Sequence, residues 1–174
     1  MRKLKILFVA SEVVPFAKTG GLADVIGSLP QELKKQGIDA RVAMPYYRDV
    51  YKCNVEAQGE WAGPSNVFMY DGEVTTYFIK NDHYFNRDHL YGYDDDHERY
   101  AFFCRTVLDM LPHINFMPDI IHCNDWQTGP ICLLLKDRYK QDPRYAHIKT
   151  VFTIHNIQYQ GLFDRRTLDT LGIS

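Results

Sequence analysis

Between Leu4 and Ala10 the chain runs LKILFVA, broken only by Lys5. A short, nearly continuous apolar run suits a strand covered on both faces, as in a parallel sheet. Leu22, Val25, Ile26, Leu29 and Leu33 follow at helical spacing and predict an amphipathic helix. Pro30 is expected to kink it and Gly37 to cap its end. Ile38 to Met44 predicts a second strand, stopped by Pro45. The first 45 residues thus predict one βαβ unit.

Beyond this unit the pattern changes and then returns. VFMYDGEVTTYFIK alternates on both sides of Asp71-Gly72, which predicts a hairpin inserted beside the parallel core. HYFNRDHLYGYDDDHERY reads as a polar, aromatic loop. A helix is expected from about Asp95, with Tyr100, Phe103, Val107, Leu108 and Leu111 as its apolar stripe. Strands at Asp119–Cys123 and Lys149–Ile154 flank a helix over Ile131–Tyr139, and a short helix is expected near Arg166–Leu171. Alternating strands and helices predict an α/β fold: a Rossmann-like open parallel sheet with helices on both faces.

With 174 residues, 45% hydrophobic and 24% charged, the chain can build one core and does not read as disordered. A formal net charge of −2 argues against a nucleic-acid partner. No stretch approaches the ~18 apolar residues of a membrane span. The apolar run at the N-terminus is too short for a secretion signal. Cys53, Cys104, Cys123 and Cys132 show no C-x-x-C spacing and read as reduced thiols. A cytoplasmic location is expected.

Ligands of open α/β sheets bind beyond the carboxyl ends of the strands. Three such ends carry unusual polar residues: PFAKTGGLADV after the first strand, Asn124-Asp125-Trp126 after the third main strand, and His155-Asn156 after the last. Lys18 beside Gly20 and Gly21, at a helix start, suits an anion cradle. A flexible turn with a solvated lysine is equally compatible. Neither a Walker A loop nor a G-x-G-x-x-G fingerprint is present. Asp24 suits either the helix dipole or a sugar hydroxyl. Asp125 reads as a helix cap or a ligand contact, and His155 as a structural or a catalytic imidazole. His122 reads as a satisfied core histidine. Asp94 to Asp96 read as a solvated helix start, which leaves a glycosidase carboxylate pair without support.

The ordered motifs KTGGLADV, HCNDWQTG and HNIQYQG, with YGYDDDHERYAFF between the first two, closely resemble glycosyltransferase family 5, the bacterial glycogen synthases and plant starch synthases. The likeness runs from about Lys5 to the last residue. It implies a GT-B architecture, of which residues 1–174 are the N-terminal, acceptor-side domain, expected to be incomplete and without the C-terminal nucleotide-binding domain. It implies transfer of glucose from ADP-glucose to the non-reducing end of an α-1,4-glucan, glycogen or maltooligosaccharide, with retention. No metal or cofactor is implied, ADP-glucose being a co-substrate. By the resemblance Lys18, Gly20 and Gly21 meet the diphosphate, and His155 lies against the transferring glucose with Asn156 beside it. Asp125, expected with His155 to be catalytic, and Trp126 line the cleft near the glucosyl and acceptor sites, Asp24 matches an acidic residue of the loop helix, and Tyr93 matches an active-site tyrosine. The chain alone is expected to be inactive. A non-catalytic glucan-binding module, suggested by Tyr84, Phe85, Tyr91 and Tyr93, and another nucleotide-sugar GT-B transferase are the alternatives.

Overall fold

In the computed structural model, which describes residues 2–53, 55, 59–63 and 66–173, the apolar run at the start becomes the central strand of the sheet. Lys5–Val9 (β1) pairs in parallel with Asp39–Pro45 (β2) on one side and Ile120–Asn124 (β6) on the other. Leu7, Phe8 and Val9 are all buried. Consecutive strand residues point to opposite faces, so both faces of β1 must be covered. Burying such side chains contributes roughly 1.5–3 kcal/mol each.

With Glu60–Trp61 (β3), Val67–Asp71 (β4), Thr75–Ile79 (β5) and Lys149–Thr153 (β7), the sheet has seven strands in the order β3-β4-β5-β2-β1-β6-β7. Five of them, β5 through β7 in that order, run parallel. The hairpin forms around residues 72–74, with Asp71 opposite Thr75. It does not merely decorate the core, however. Its second strand, β5, pairs in parallel with β2 from Val42↔Thr76 to Pro45↔Ile79. Only β4 and β3 are the antiparallel addition. Pro45 also closes β2 from within, as its last residue.

Gly21–Lys35 (α1) carries the chain from β1 to β2, Asp96–Met110 (α4) leads from β5 to β6, and Pro130–Lys136 (α5) from β6 to β7. The first crossover travels one way along the sheet and the other two travel the opposite way. Right-handed connections then put α1 on one face and α4 with α5 on the other; α4 and α5 touch. The stripe expected on α4 is buried at Tyr100, Phe103, Val107 and Leu108 and continues to Leu111. Pro30 sits inside α1, and Gly37, with φ of 86°, follows the helix end where a left-handed turn favours glycine. Short helices at Arg48–Tyr51 (α2), Asp82–Phe85 (α3) and Arg166–Leu171 (α6) complete the fold. Edge strand β7 is exposed at four of its five residues.

The loop after β1 is pinned to α1 at close range. Val14 N–H donates to the Ala23 carbonyl at 3.2 Å. A Cβ at Gly27 would lie 2.2 Å from Val14 Cγ2 and 3.2 Å from the Val14 carbonyl oxygen. Alanine would raise helix propensity, yet here it forces apart a branched side chain and a backbone. Gly27→Ala is therefore expected to destabilise the fold by about 1–3 kcal/mol. Urea denaturation would register this as a lower midpoint with an unchanged slope; an unchanged or higher midpoint would contradict the packing.

Candidate functional site

The loops that follow β1, β6 and β7 meet in one cleft of about 1000 Å³. Its wall includes Gly20 and Gly21 from the first loop, Asp125 and Trp126 from the second, and His155 and Asn156 from the third. The cleft lies where the crossovers diverge from β1 and β6, the topological switch point of the sheet. Six of the nine residues singled out in the sequence thus line one space. Lys18, Asp24 and Tyr93 do not line it.

The first loop is organised by a residue that the sequence reading passed over. Glu12 is buried, and its carboxylate accepts from Thr19 N–H (2.5 Å), Thr19 Oγ1 (2.6 Å), Gly20 N–H (3.0 Å) and Tyr91 O–H (2.7 Å). Because Tyr91 gives its proton to Glu12, Ser11 Oγ donates to Tyr91 at 2.8 Å. Burial pushes the Glu12 carboxyl up, but the hydrogen bonds from Thr19, Tyr91 and Gly20 outweigh it and hold it below its ordinary value. Gly20 N–H is therefore engaged within the protein. The opening amides of α1, from Gly21 on, have no acceptor inside the helix and face the cleft end of it. Lys18 and Asp24, both about half exposed, pair with each other, the ammonium lying 2.7 Å from each carboxylate oxygen. Val25, assigned to the apolar stripe of α1, instead lies on the cleft wall.

The second and third loops are tied together by Asp125. Its backbone N–H donates to the Thr153 carbonyl at 2.9 Å, and its Oδ1 accepts from His155 N–H at 2.7 Å. Asp125 holds φ 58° and ψ 177°, a conformation almost confined to glycine. It therefore bridges two strand ends rather than capping a helix with its side chain. His155 Nε2 lies 2.9 Å from Asn124 Oδ1. The Asn124 amide nitrogen donates to the carbonyls of Val9 (3.2 Å) and His122 (2.9 Å), which fixes the amide's orientation. Nε2 must then be the donor, which leaves Nδ1 as the nitrogen not engaged by Asn124. His122 is half-buried against Phe8 with Thr153 Oγ1 at 2.7 Å; burial, then the nearby His155, lowers its pKa. That is the satisfied histidine its sequence position suggested.

Trp126 stands edge-on to Tyr100, with centroids 5.2 Å apart, and packs against Phe163 at the same distance. A Cβ on Gly161, at φ 62°, would lie 2.6 Å from the indole. Next to it, Gln127 is buried on the cleft wall and its Oε1 has no hydrogen-bond partner. Tyr93 lies elsewhere: its ring has the Arg87 and Arg99 guanidiniums 4.9 Å away, and its hydroxyl accepts from His89 N–H. Tyr91 lines the cleft instead, as does Tyr159.

The acidic triplet is not a solvated helix start throughout. Asp96 is buried, paired with the fully buried Arg99, and accepts Gly92 N–H at 2.8 Å. Asp95 receives two bonds from Arg87, at 2.7 and 2.6 Å, which hold its pKa low. The aromatic residues that favoured a glucan-binding module also pack inward. Phe85 is fully buried, and Tyr84, Tyr91 and Tyr93 are half-buried.

Fold and site together define a Rossmann-like α/β domain with a ligand cleft at the carboxyl edge of its sheet. The sequence profile of the starch synthase catalytic domain matches residues 5–174, and the chain belongs to that family. It is 51% identical over 183 residues to a glycogen synthase of Desulforamulus reducens, covering 98% of this chain and 38% of that protein. It is 48% identical over 180 residues to a glycogen synthase of Geobacillus stearothermophilus, covering 97% and 37%. Among solved structures it resembles the catalytic domain of starch synthase IV from Arabidopsis thaliana bound to ADP and acarbose, with a TM-score of 0.85 and 27% identity. That match covers 99% of this chain and 38% of the other. The sheet is thus of the GT-B type, and the chain spans little more than a third of the relatives it matches.

Because the Glu12 carboxyl is held below its ordinary value of 4.5 in the fold, it favours the folded state once ionised. That contribution is complete above the unfolded-state pKa and disappears as pH falls through the lower folded-state value. Glu12→Gln, which turns an amide NH2 toward backbone donors, is expected to cost about 2 kcal/mol at pH 7. The gap from wild type should narrow as the pH drops below about 4. Denaturation curves from pH 7 to pH 3 would check this; a gap that widens toward low pH would contradict it.

Proposed function

We propose that this chain is the acceptor-side domain of a glycogen (starch) synthase that moves glucose from ADP-glucose to the non-reducing end of an α-1,4-glucan, with retention. The observation that carries the reading is the convergence of the start of α1, Asp125 and His155 on one cleft at the switch point. The names of the relatives and the ADP and acarbose held by the starch synthase IV domain support both ligand classes. Glycogen or a maltooligosaccharide is the acceptor. A C-terminal nucleotide-binding domain in the longer protein supplies the facing wall. The 174-residue chain alone is inactive in this reading.

The chemistry follows from where charge develops. As ADP leaves, negative charge grows on the diphosphate. The amides at the start of α1 and the Lys18 ammonium stabilise it. Lys18 exchanges its exposed Asp24 partner for phosphate at small cost, since such surface pairs contribute about 0.2–1 kcal/mol. Gly20 acts by letting backbone approach the ligand, with its own N–H given to Glu12. His155, with a proton on Nε2, turns its other ring nitrogen, Nδ1, to a glucosyl hydroxyl. Trp126 is the apolar floor, and Asn156 meets a sugar hydroxyl. Tyr93 acts at a distance, through the Arg87 and Arg99 guanidiniums that stack on its ring. Neither a metal nor a cofactor takes part. Charge and hydropathy suit a cytoplasmic enzyme that binds neither nucleic acid nor membrane; among the described residues no helix is long and apolar enough to cross one.

In the full-length enzyme His155→Ala should lower kcat by roughly 10²-fold or more with little change in stability. Lys18→Ala should mainly raise KM for ADP-glucose. Steady-state transfer to maltooligosaccharide, with UDP- and GDP-glucose as competitors, tests both. Wild-type kinetics in either variant, or preference for another nucleotide, would overturn the assignment.

A further inference from the structure

On the far side of the second cleft loop lies a pair of thiols that transfer chemistry does not use. Cys123 is the buried penultimate residue of β6, and Cys132 sits in the first turn of α5. Their sulfurs are 3.9 Å apart. The nine-residue separation between them spans the whole loop that carries Asn124, Asp125 and Trp126. Cys132 is half-buried and opens onto a second cavity of about 490 Å³, whose wall also holds Lys136, Lys140 and Thr150. Two lysines beside an accessible sulfur favour an anionic reagent.

We propose that Cys132 is a modification site, a reactive thiol that a low-molecular-weight, anionic disulfide converts into a Cys123–Cys132 bridge. The Cys132 thiolate attacks one sulfur of the reagent, the reagent's S–S bond breaks, and one thiolate leaves. Cys123 passes its proton to that leaving thiolate. Its sulfur then attacks Cys132, breaks the mixed disulfide and expels the second thiolate, which takes up a proton from solvent. Two protein thiols are oxidised by two electrons, and the reagent is reduced to two thiols.

The surroundings separate Cys132 from the other cysteines. The hydrogen bond with Cys123, together with the Thr150 hydroxyl and Lys136, pulls the Cys132 thiol down to about 6 against the opposing effect of burial. Cys123 moves the other way, raised by its contact with Cys132 and by burial. Cys104 is fully buried, and its thiol donates to the Gln127 carbonyl at 3.2 Å. Cys53 is half-exposed, yet burial and Asp49 raise its pKa. Accessible without being activated, Cys53 is the internal control. A bridge needs the sulfurs to close from 3.9 Å to about 2.05 Å. It would tether the two ends of the loop whose strained Asp125 holds His155, so the pair and the cleft are mechanically joined.

Oxidised glutathione is the probe. After incubation of the native chain at pH 7, peptide mass spectrometry should find Cys123 joined to Cys132, with a loss of two hydrogens. In Cys123→Ser, the glutathione adduct should stop on Cys132; in Cys132→Ser neither bridge nor adduct should form at these positions. In the reduced wild type, iodoacetamide should modify Cys132 at least about tenfold faster than Cys53 at pH 7. Equal rates at Cys53 and Cys132, or glutathione retained on wild-type Cys132 with no bridge, would overturn the proposal. All readouts are independent of transferase activity, so failure here leaves the assigned function standing.

Discussion

The reversal of strand order at β1 is the constraint from which the rest of the molecule follows. A strand buried on both faces must have neighbours on both edges and helices above and below. β1 meets these demands by sending its own crossover toward β2 and receiving β6 on the other edge. Because right-handed crossovers in opposite directions occupy opposite faces, the loops after β1 and β6 diverge. The gap they leave is the cleft. Its place is therefore a consequence of sheet topology, fixed before any side chain in it is chosen.

What the side chains add is order in loops that carry little secondary structure of their own. Glu12 gathers donors from Thr19, Gly20 and Tyr91, the last of them 79 positions away in the chain. Asp125 does the same for the ends of β6 and β7, at the expense of an unfavourable backbone conformation. Such strain persists only where surrounding bonds over-determine it. Here the bonds to Thr153 and His155, and the Thr128 hydroxyl on the Asn124 and Asp125 carbonyls, do so. The imidazole is then held by its backbone through Asp125 and by its ring through Asn124.

Much of this was legible in the sequence where a period carried the signal. The βαβ unit, the stripe of α4 and the three polar strand ends were read from spacing and fall where expected. Features set by distant partners were not legible. That β5 joins the parallel core depends on pairing with β2, 34 positions away, and local alternation reads the same in either case. Glu12 looks like a solvated residue after a strand until the loop folds back on it. Asp96 looks like a helix-dipole acid, and only the packing around Arg99 shows that it is buried. Tyr91 and Tyr93 sit two apart in a loop with no period, so nothing local says which faces the cleft.

The cleft wall presents an apparent contradiction for a site that is to hold a diphosphate: it includes three carboxylates, Glu12, Asp96 and Asp125. Free carboxylates would repel such a ligand. None of the three is free. Glu12 faces four donors, Asp96 is paired with buried Arg99 and takes the Gly92 amide, and Asp125 takes the amide of His155. Glu12 and Asp96 thus turn their charge inward on backbone and side-chain donors, and Asp125 turns one oxygen to a backbone donor. The polar groups that line the cleft and suit an anion or a sugar are the start of α1 and the Nδ1 side of His155. The acids build the cradle, and the neutral and positive groups are left to meet what it holds.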